Sequence, residues 1–66
     1  MRVVLRMPER RELELKGGRP LRAVLEEIGV NPEGVVVVRG EELLTLDAWV
    51  EEEDTLEVLS AISGGA

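Results

Sequence analysis

The sequence of 66 residues contains no cysteine and no histidine. Without cysteine there is no disulfide, no thiolate metal site and no thiol nucleophile, and without histidine the commonest general base is missing as well. Phenylalanine and tyrosine are also absent, and Trp49 is the single aromatic residue. Most side-chain catalytic sites are therefore excluded. We predict a core of leucine, valine and isoleucine, with Trp49 closing one end of it.

Long hydrophobic runs are also missing, since the longest uninterrupted apolar stretch covers only residues 35–38. A membrane span or the core of a signal peptide needs a much longer run. We therefore expect a soluble, cytoplasmic protein. A chain of this length forms one domain and buries only about 60% of its unfolded surface, so there is little room for an enclosed active site.

Basic residues are scarce in the second half of the chain. Residues 1–30 carry seven basic and five acidic groups, whereas residues 31–66 carry one basic and nine acidic groups, and the net charge is −6. An acidic surface repels phosphate backbones and favours basic protein partners, so direct binding to nucleic acid is not expected. The alternative is a solvated charged face that only keeps the protein soluble.

Residues 2–16 alternate between apolar and charged side chains on either side of a turn at residues 8–10. This period of two predicts a β-hairpin with one buried face, and the intervening charged residues in water. The side chains expected on the buried face are Val3, Leu5, Met7, Leu13 and Leu15.

A helix is predicted after Gly17 and Gly18, with Pro20 at its first position because the ring fixes a helical φ. Gly29 is expected to end the helix in the left-handed conformation. The helical spacing i, i+3, i+4 and i+7 predicts one apolar stripe that packs on the sheet. The stripe consists of Leu21, Val24, Leu25 and Ile28.

The rest of the chain alternates between short apolar segments and turns. Residues 35–38 are all valine, which fits a strand covered on both faces or a short strand at the centre or end of a sheet. Residues 47–50 are predicted to form a single helical turn that begins at Asp47, and residues 55–62 a last strand. One helix must then cover one face of one sheet, which makes the fold class α+β.

This element order, followed by Gly64 and Gly65, resembles the ubiquitin-like β-grasp sulfur carriers, the family of the thiamine and molybdopterin sulfur carriers. The resemblance covers the whole chain and is strongest at residues 38–41, 49, 53–58 and 62–65. Residues 2–6 and 59–65 are most similar to the bacterial carriers that serve 2-thiouridine formation in tRNA.

The resemblance implies a mixed four- to five-stranded sheet with one helix on one face. It also implies that the first and last strands lie side by side and parallel at the centre of the sheet. Residues 1–62 would form the β-grasp domain and residues 63–66 a flexible Gly-Gly tail.

The resemblance also implies that this domain is a substrate and not an enzyme. An E1-like adenylating enzyme would use ATP to activate the carboxylate of Gly65, and no cofactor would be bound to the domain itself. A cysteine desulfurase or rhodanese would supply sulfur, and the resulting thiocarboxylate would serve a tRNA thiolase or, in the alternative reading, a thiazole synthase. Glycine suits the tail because a residue without Cβ passes through a narrow channel.

Ala66 departs from the family pattern, in which the second glycine carries the reactive carboxylate. Either Ala66 is trimmed, or it is an addition to the natural chain, or activation is lost. We expect that Ala66 is either removed from the chain or is an addition to the natural sequence. A frayed terminus is the alternative to a functional tail, and a β-grasp interaction module that works without the tail is the alternative to a carrier.

Residues beside the tail are expected to contact the activating enzyme. Leu59 and Ala61 share one face of the last strand and would form an exposed apolar patch, although core packing is the alternative for both. The other expected contact residues are Ile62, Ser63, Glu53 and Asp54.

Some relatives of these carriers are joined to lysine residues of other proteins as modifiers. Lys16 is the only lysine of this chain and therefore the one possible internal acceptor for such conjugation. The alternative is an ordinary solvated strand residue.

Overall fold

The computed structural model describes residues 1–6 and 9–61. Within these residues the chain forms seven strands, one α-helix and a 3-10 turn at Pro32–Gly34. In chain order the elements are β1 (Arg2–Arg6), β2 (Arg10–Glu14), β3 (Arg19–Pro20), α1 (Leu21–Ile28), β4 (Val35–Arg39), β5 (Glu42–Leu44), β6 (Trp49–Val50) and β7 (Thr55–Ser60). No helix in the described ranges is long and apolar enough to cross a membrane.

Five of these strands form one mixed sheet in the order β2-β1-β7-β4-β5. The first and last strands, β1 and β7, are parallel and run from the Arg2–Thr55 pair to the Leu5–Val58 pair. The other pairs in this sheet are antiparallel. The short strands β3 and β6 pair separately. The expected β-grasp arrangement, with parallel first and last strands at the centre of the sheet, is therefore confirmed.

The core lies between the sheet and one face of α1. Leu21, Val24 and Leu25 are buried, and Ile28 packs against them, which confirms the predicted stripe. The predicted inward side chains of the hairpin are confirmed, since Val3 and Leu5 are buried and Leu13 and Leu15 pack against the core. The exposed opposite face is not confirmed for β1, because Val4 on that face is also buried. Met7 lies outside the described residues. The complete buried cluster is Met1, Val3, Leu5, Leu21, Val24, Leu25, Val37, Leu44, Val50, Leu56 and Val58.

The helix begins one residue later than predicted. Pro20 has φ −71° and ψ 153°, which is extended backbone, so it precedes the helix and pairs with Trp49. The first amide groups of the helix have acceptors in the loop between β5 and β6, where Leu21 N donates to Ala48 O at 2.8 Å and Arg22 N to Leu46 O at 2.9 Å. At the other end Gly29 has φ 87°, which confirms the left-handed cap.

The predicted helical turn at residues 47–50 is wrong, because Trp49 and Val50 form strand β6. The expectation that Trp49 closes the core is wrong for the same reason. Successive side chains of a strand point to opposite sides, and here Val50 takes the inward position. Val50 is fully buried, whereas Trp49 is 54% exposed.

Strand β4 has one covered face and one open face. Val37 is buried against the core, while Val36 and Val38 on the opposite side are only half-buried. The reading of residues 35–38 as covered on both faces is therefore wrong. The strand lies between central strand β7 and edge strand β5.

The first residue of the chain belongs to the core. The side chain of Met1 has no exposed surface, and its α-ammonium group lies 3.5 Å from Glu52 Oε2. The other carboxylate oxygen of Glu52 accepts a hydrogen bond from Gly17 N at 2.8 Å. This backbone amide and, next, the ammonium group lower the pKa of Glu52. The loop after β2 and the loop before β7 are thereby joined at the amino terminus.

Gly17 approaches the backbone of Glu51 and Glu52 so closely that a Cβ atom would overlap it. We expect Gly17→Ala to lower the free energy of unfolding by about 1–3 kcal/mol, because neither backbone segment can move without disturbing the Met1 site. Denaturant unfolding measures this change. Gly18→Asn is the matched control, since Gly18 has φ 71° with open space around it and asparagine tolerates that conformation. Equal stability of the two variants would contradict the close approach.

Candidate functional site

The carboxyl end of β7 is where the chain leaves the folded body. Ser60 pairs with Val35 at the start of β4, and Ala61 N donates to Gly34 O at 2.9 Å. The pairing of β7 with β1 extends to Val58, and its pairing with β4 extends to Ser60. The end of β7 is therefore held by the start of β4. The predicted site residues Ile62, Ser63, Gly64 and Gly65 lie outside the described residues, so their roles stay predictions.

The sheet face opposite the helix carries four apolar side chains near this point that are not buried, beside the buried Val4, which pairs with Glu57. Leu59 is the cross-strand partner of Val36, and Leu43 is the partner of Val38. Three of the four are half-buried and Leu43 is 67% exposed. We call Val36, Val38, Leu43 and Leu59 the open-face patch.

Leu59 lies outside the buried core cluster, on the face away from the helix. Ala61 follows it and is exposed. A charged pair borders the patch, in which Arg6 Nε donates to Glu57 Oε2 at 2.8 Å. Of the two sequence interpretations for Leu59, the geometry supports the surface position.

Glu53 and Asp54 lie at the other end of β7. Thr55, which follows them, pairs with Arg2, and the strand from Thr55 to Ser60 spans about 17 Å at the usual rise per residue. The structure therefore does not bring these two acidic residues together with Leu59. Glu53 is exposed.

The carboxylate of Asp54 already has two donors within the chain. Asp54 Oδ2 accepts hydrogen bonds from Glu51 N and from Arg39 Nη1, both at 2.8 Å, and the side chain is only 19% exposed. Arg39 Nη1 also donates to Trp49 O at 3.2 Å. The amide of Glu51 lowers the pKa of Asp54 most, and Arg39 lowers it further. Asp54 therefore holds the loop before β7 onto the end of β4.

Comparison with known proteins shows to which protein family this chain belongs. The chain matches the ThiS family over residues 3–65. It belongs to this family. It is 78% identical over 65 residues to the sulfur carrier protein TtuB of Thermus thermophilus, and the match covers 98% of this chain and 100% of that relative. The resemblance drawn from the sequence is thereby confirmed, and the ThiS-family match ends on Gly65.

Lys16 lies far from the point where this ThiS-family chain leaves its last strand. It follows β2, whose last residue, Glu14, pairs with Arg2 at the start of β1. Lys16 is exposed at that end of the sheet, opposite Ser60. Its proposed role as a conjugation site stays a prediction.

The sequence interpretation missed three members of the open-face patch: Val36, Val38 and Leu43. The sequence did contain the signal. In a β-strand, successive side chains point to opposite faces, so alternate valines must lie on different faces of the sheet. Only the pairing shows which face the helix covers. Within the described ranges no group of three or more acidic side chains is placed to hold a metal ion.

The hydrogen bonds of Asp54 predict a pH-dependent contribution to stability. Because its folded pKa is lowered, the carboxylate stabilises the protein above the ordinary aspartate pKa near 3.9, and this stabilisation is lost as pH falls through the lower folded pKa. We expect Asp54→Asn to be less stable than wild type at neutral pH and the difference to shrink in acid, as measured by urea unfolding at a series of pH values.

The control for this experiment is Glu53→Gln, which changes an exposed neighbouring carboxylate and should leave the profile as it is. A stability difference for Asp54→Asn that stays constant down to about pH 2 would show that the charge of Asp54 is not what stabilises the loop.

Proposed function

We propose that this chain is a sulfur carrier whose Gly65 carries sulfur as a thiocarboxylate for 2-thiouridine formation in tRNA. The observation that carries the proposal is the match to the ThiS family through Gly65. The 78% identity to sulfur carrier protein TtuB, along the whole of that relative, supports it. In this role the domain is a protein co-substrate, and its partner enzymes supply the catalysis.

The chemistry begins at the chain end. Hydrolysis of the Gly65–Ala66 peptide bond frees the carboxylate of Gly65. One of its oxygens attacks the α-phosphorus of ATP on an E1-like adenylating enzyme, and pyrophosphate leaves. A persulfide sulfur, delivered by a cysteine desulfurase or rhodanese, then displaces AMP from the acyl carbon. Reductive cleavage of the resulting acyl disulfide by a thiol leaves the thiocarboxylate on Gly65.

The length of residues 62–65 limits how far Gly65 can lie from the described part of the domain. Residues 62–65 follow the last described residue, and four extended residues span at most about 14 Å. An enzyme that accepts Gly65 must therefore have its reacting group within about 14 Å of the surface that meets Ala61. The glycines allow close approach because neither has a Cβ atom.

The open-face patch is the surface that we assign to the activating enzyme. Its leucines and valines are the apolar side chains that border the end of β7, and an exposed apolar patch beside a reactive group is typical of a protein docking site. Binding there would position the tail while leaving the helix side free. Leu59, as the patch residue closest to Ala61 in the chain, should contribute most.

The proposal also specifies which enzyme accepts the sulfur. The residues that resemble the tRNA 2-thiouridine carriers favour a tRNA thiolase over a thiazole synthase. Deletion of the gene distinguishes the two, since loss of 2-thiouridine with normal thiamine supports the tRNA pathway. Loss of thiamine with intact 2-thiouridine would contradict it.

The chain isolated from its own cells should lack Ala66, and part of it should carry sulfur in place of one carboxyl oxygen of Gly65. High-resolution intact mass measurement under non-reducing, mild conditions detects both changes. Gly65→Ala is the matched variant, because it retains a carboxylate but adds a Cβ atom, and we expect little or no sulfur on it. A chain that keeps Ala66 and takes up no sulfur with the activating enzyme and ATP would contradict the carrier role.

Leu59→Asp and Leu43→Asp should each raise the KM for adenylation by about tenfold or more, because a charge replaces an apolar contact within the docking surface. Pyrophosphate release measures the reaction. Leu46→Asp is the control, since Leu46 is an exposed leucine in the loop beside the helix. If folded variants of the open-face patch are adenylated like the control, the activating enzyme docks elsewhere.

A further inference from the structure

The last residues before the tail are held by β4. The pairing of β7 with β1 extends to Val58, whereas its pairing with β4 extends to Ser60, the partner of Val35. The next residue, Ala61, donates its backbone amide to Gly34 O at 2.9 Å. Within the described ranges no later residue is bonded to the domain, so Gly34 sets where the tail begins.

Gly34 is itself placed by Asn31, the only asparagine of the chain. Asn31 closes the 3-10 turn at Pro32–Gly34 with two acceptors. Its carbonyl oxygen accepts from Gly34 N, and its side-chain Oδ1 accepts from Glu33 N, both at 3.0 Å. Asparagine favours such turns because its short amide reaches the backbone two residues further on. We call residues 31–34 the asparagine turn.

The asparagine turn lies on the surface. None of residues 32–34 is buried, and Asn31 is exposed. The conformation of the turn therefore depends mainly on the ring of Pro32 and on the two bonds to Asn31. Loss of the bond to Asn31 Oδ1 removes the acceptor of a turn amide and loosens the turn, while the core of the domain stays packed.

We infer that Asn31 is a positioning residue for the loading of sulfur, because it sets the point from which Gly65 reaches the activating enzyme. The inference rests on the proposed function. With Ala61 bonded to Gly34, residues 62–65 span at most about 14 Å, and a docked carrier places its carboxylate in a limited volume. When this bond opens, Ala61 lengthens the free segment to at most about 18 Å.

A longer and looser segment lowers the rate of the chemical step and leaves docking as it is. The open-face patch still meets the activating enzyme, so the KM is unchanged when binding equilibrates before chemistry. The fraction of docked carriers whose carboxylate lies against ATP falls, because reaction requires close and oriented groups. We therefore expect a change in kcat, in contrast to the change in KM expected for Leu59→Asp.

A purely structural role for Asn31 is the alternative, and two variants distinguish it from positioning. Asn31→Asp keeps an oxygen that accepts from Glu33 N and is the conservative variant. Thr45→Ala is the matched control, because Thr45 Oγ1 donates to Asp47 Oδ1 at 2.8 Å, another exposed hydrogen bond between residues two apart. Thr45 follows the edge strand β5, and β4 lies between that strand and β7.

The test compares wild type, Asn31→Ala, Asn31→Asp and Thr45→Ala, each as a chain that ends at Gly65. Solvent exchange of the Ala61 amide, measured by NMR on the free protein, reports the bond to Gly34 O without any enzyme. Adenylation by the activating enzyme with ATP, followed by pyrophosphate release, gives kcat and KM. Circular dichroism melting verifies that every variant is folded at the assay temperature.

We expect the Ala61 amide to exchange about tenfold faster in Asn31→Ala than in wild type. The kcat of this variant should fall about threefold to tenfold, with an unchanged KM. Asn31→Asp should restore both the exchange rate and kcat, and Thr45→Ala should match wild type.

Unchanged exchange at Ala61 in Asn31→Ala overturns the inference, and so does faster exchange with an unchanged kcat. An equal fall of kcat in Thr45→Ala contradicts positioning, because stability alone would then account for the loss. A rise in KM for Asn31→Ala also contradicts it, since Asn31 would then contact the enzyme directly. If wild type itself is not adenylated, the proposed function fails, whereas the exchange measurement still tests the turn.

Discussion

The parallel pairing of β1 with β7 is the contact on which the rest of the structure depends. It joins the two ends of the sequence at the centre of the sheet and buries Val3, Leu56 and Val58 against the helix. Because β4 then adds to the other side of β7, the last strand is held on both edges. The chain end proposed to react on partner enzymes thus follows a strand that is paired on both edges.

In the part of the chain that the structure describes, a single α-helix covers one face of this sheet and no second layer covers the other. The open-face patch is the consequence. Apolar side chains that would be buried in a larger domain remain available to a partner protein, next to the end of β7. In the proposed function, recognition lies on this surface and the chemistry takes place at the chain end.

A group of acidic side chains lies at one end of the sheet. The second half of the sequence carries most of the acidic groups. In the structure, the turn at residues 40–41, the first residue of β5 and the loop at residues 51–54 lie at the end of the sheet opposite Ser60, because β4 and β7 are antiparallel. One of these carboxylates, Glu52, also faces the α-ammonium group of Met1. One acidic loop therefore contacts the amino terminus at the end of the sheet opposite Ser60.

Features with local signals could be predicted from the sequence alone. The inward side chains of the hairpin, the stripe of α1 and the glycine cap at Gly29 depend on neighbours along the chain, and the structure confirms them. The burial of Val4 on the opposite face of β1 was not predicted. Tertiary structure alone decided what depends on distant pairing: that Val50 and not Trp49 faces the core, that Val36 and Val38 stay open, and that Asp54 is held by Arg39. Burial is set by which strand or helix covers a residue, and that partner comes from elsewhere in the chain.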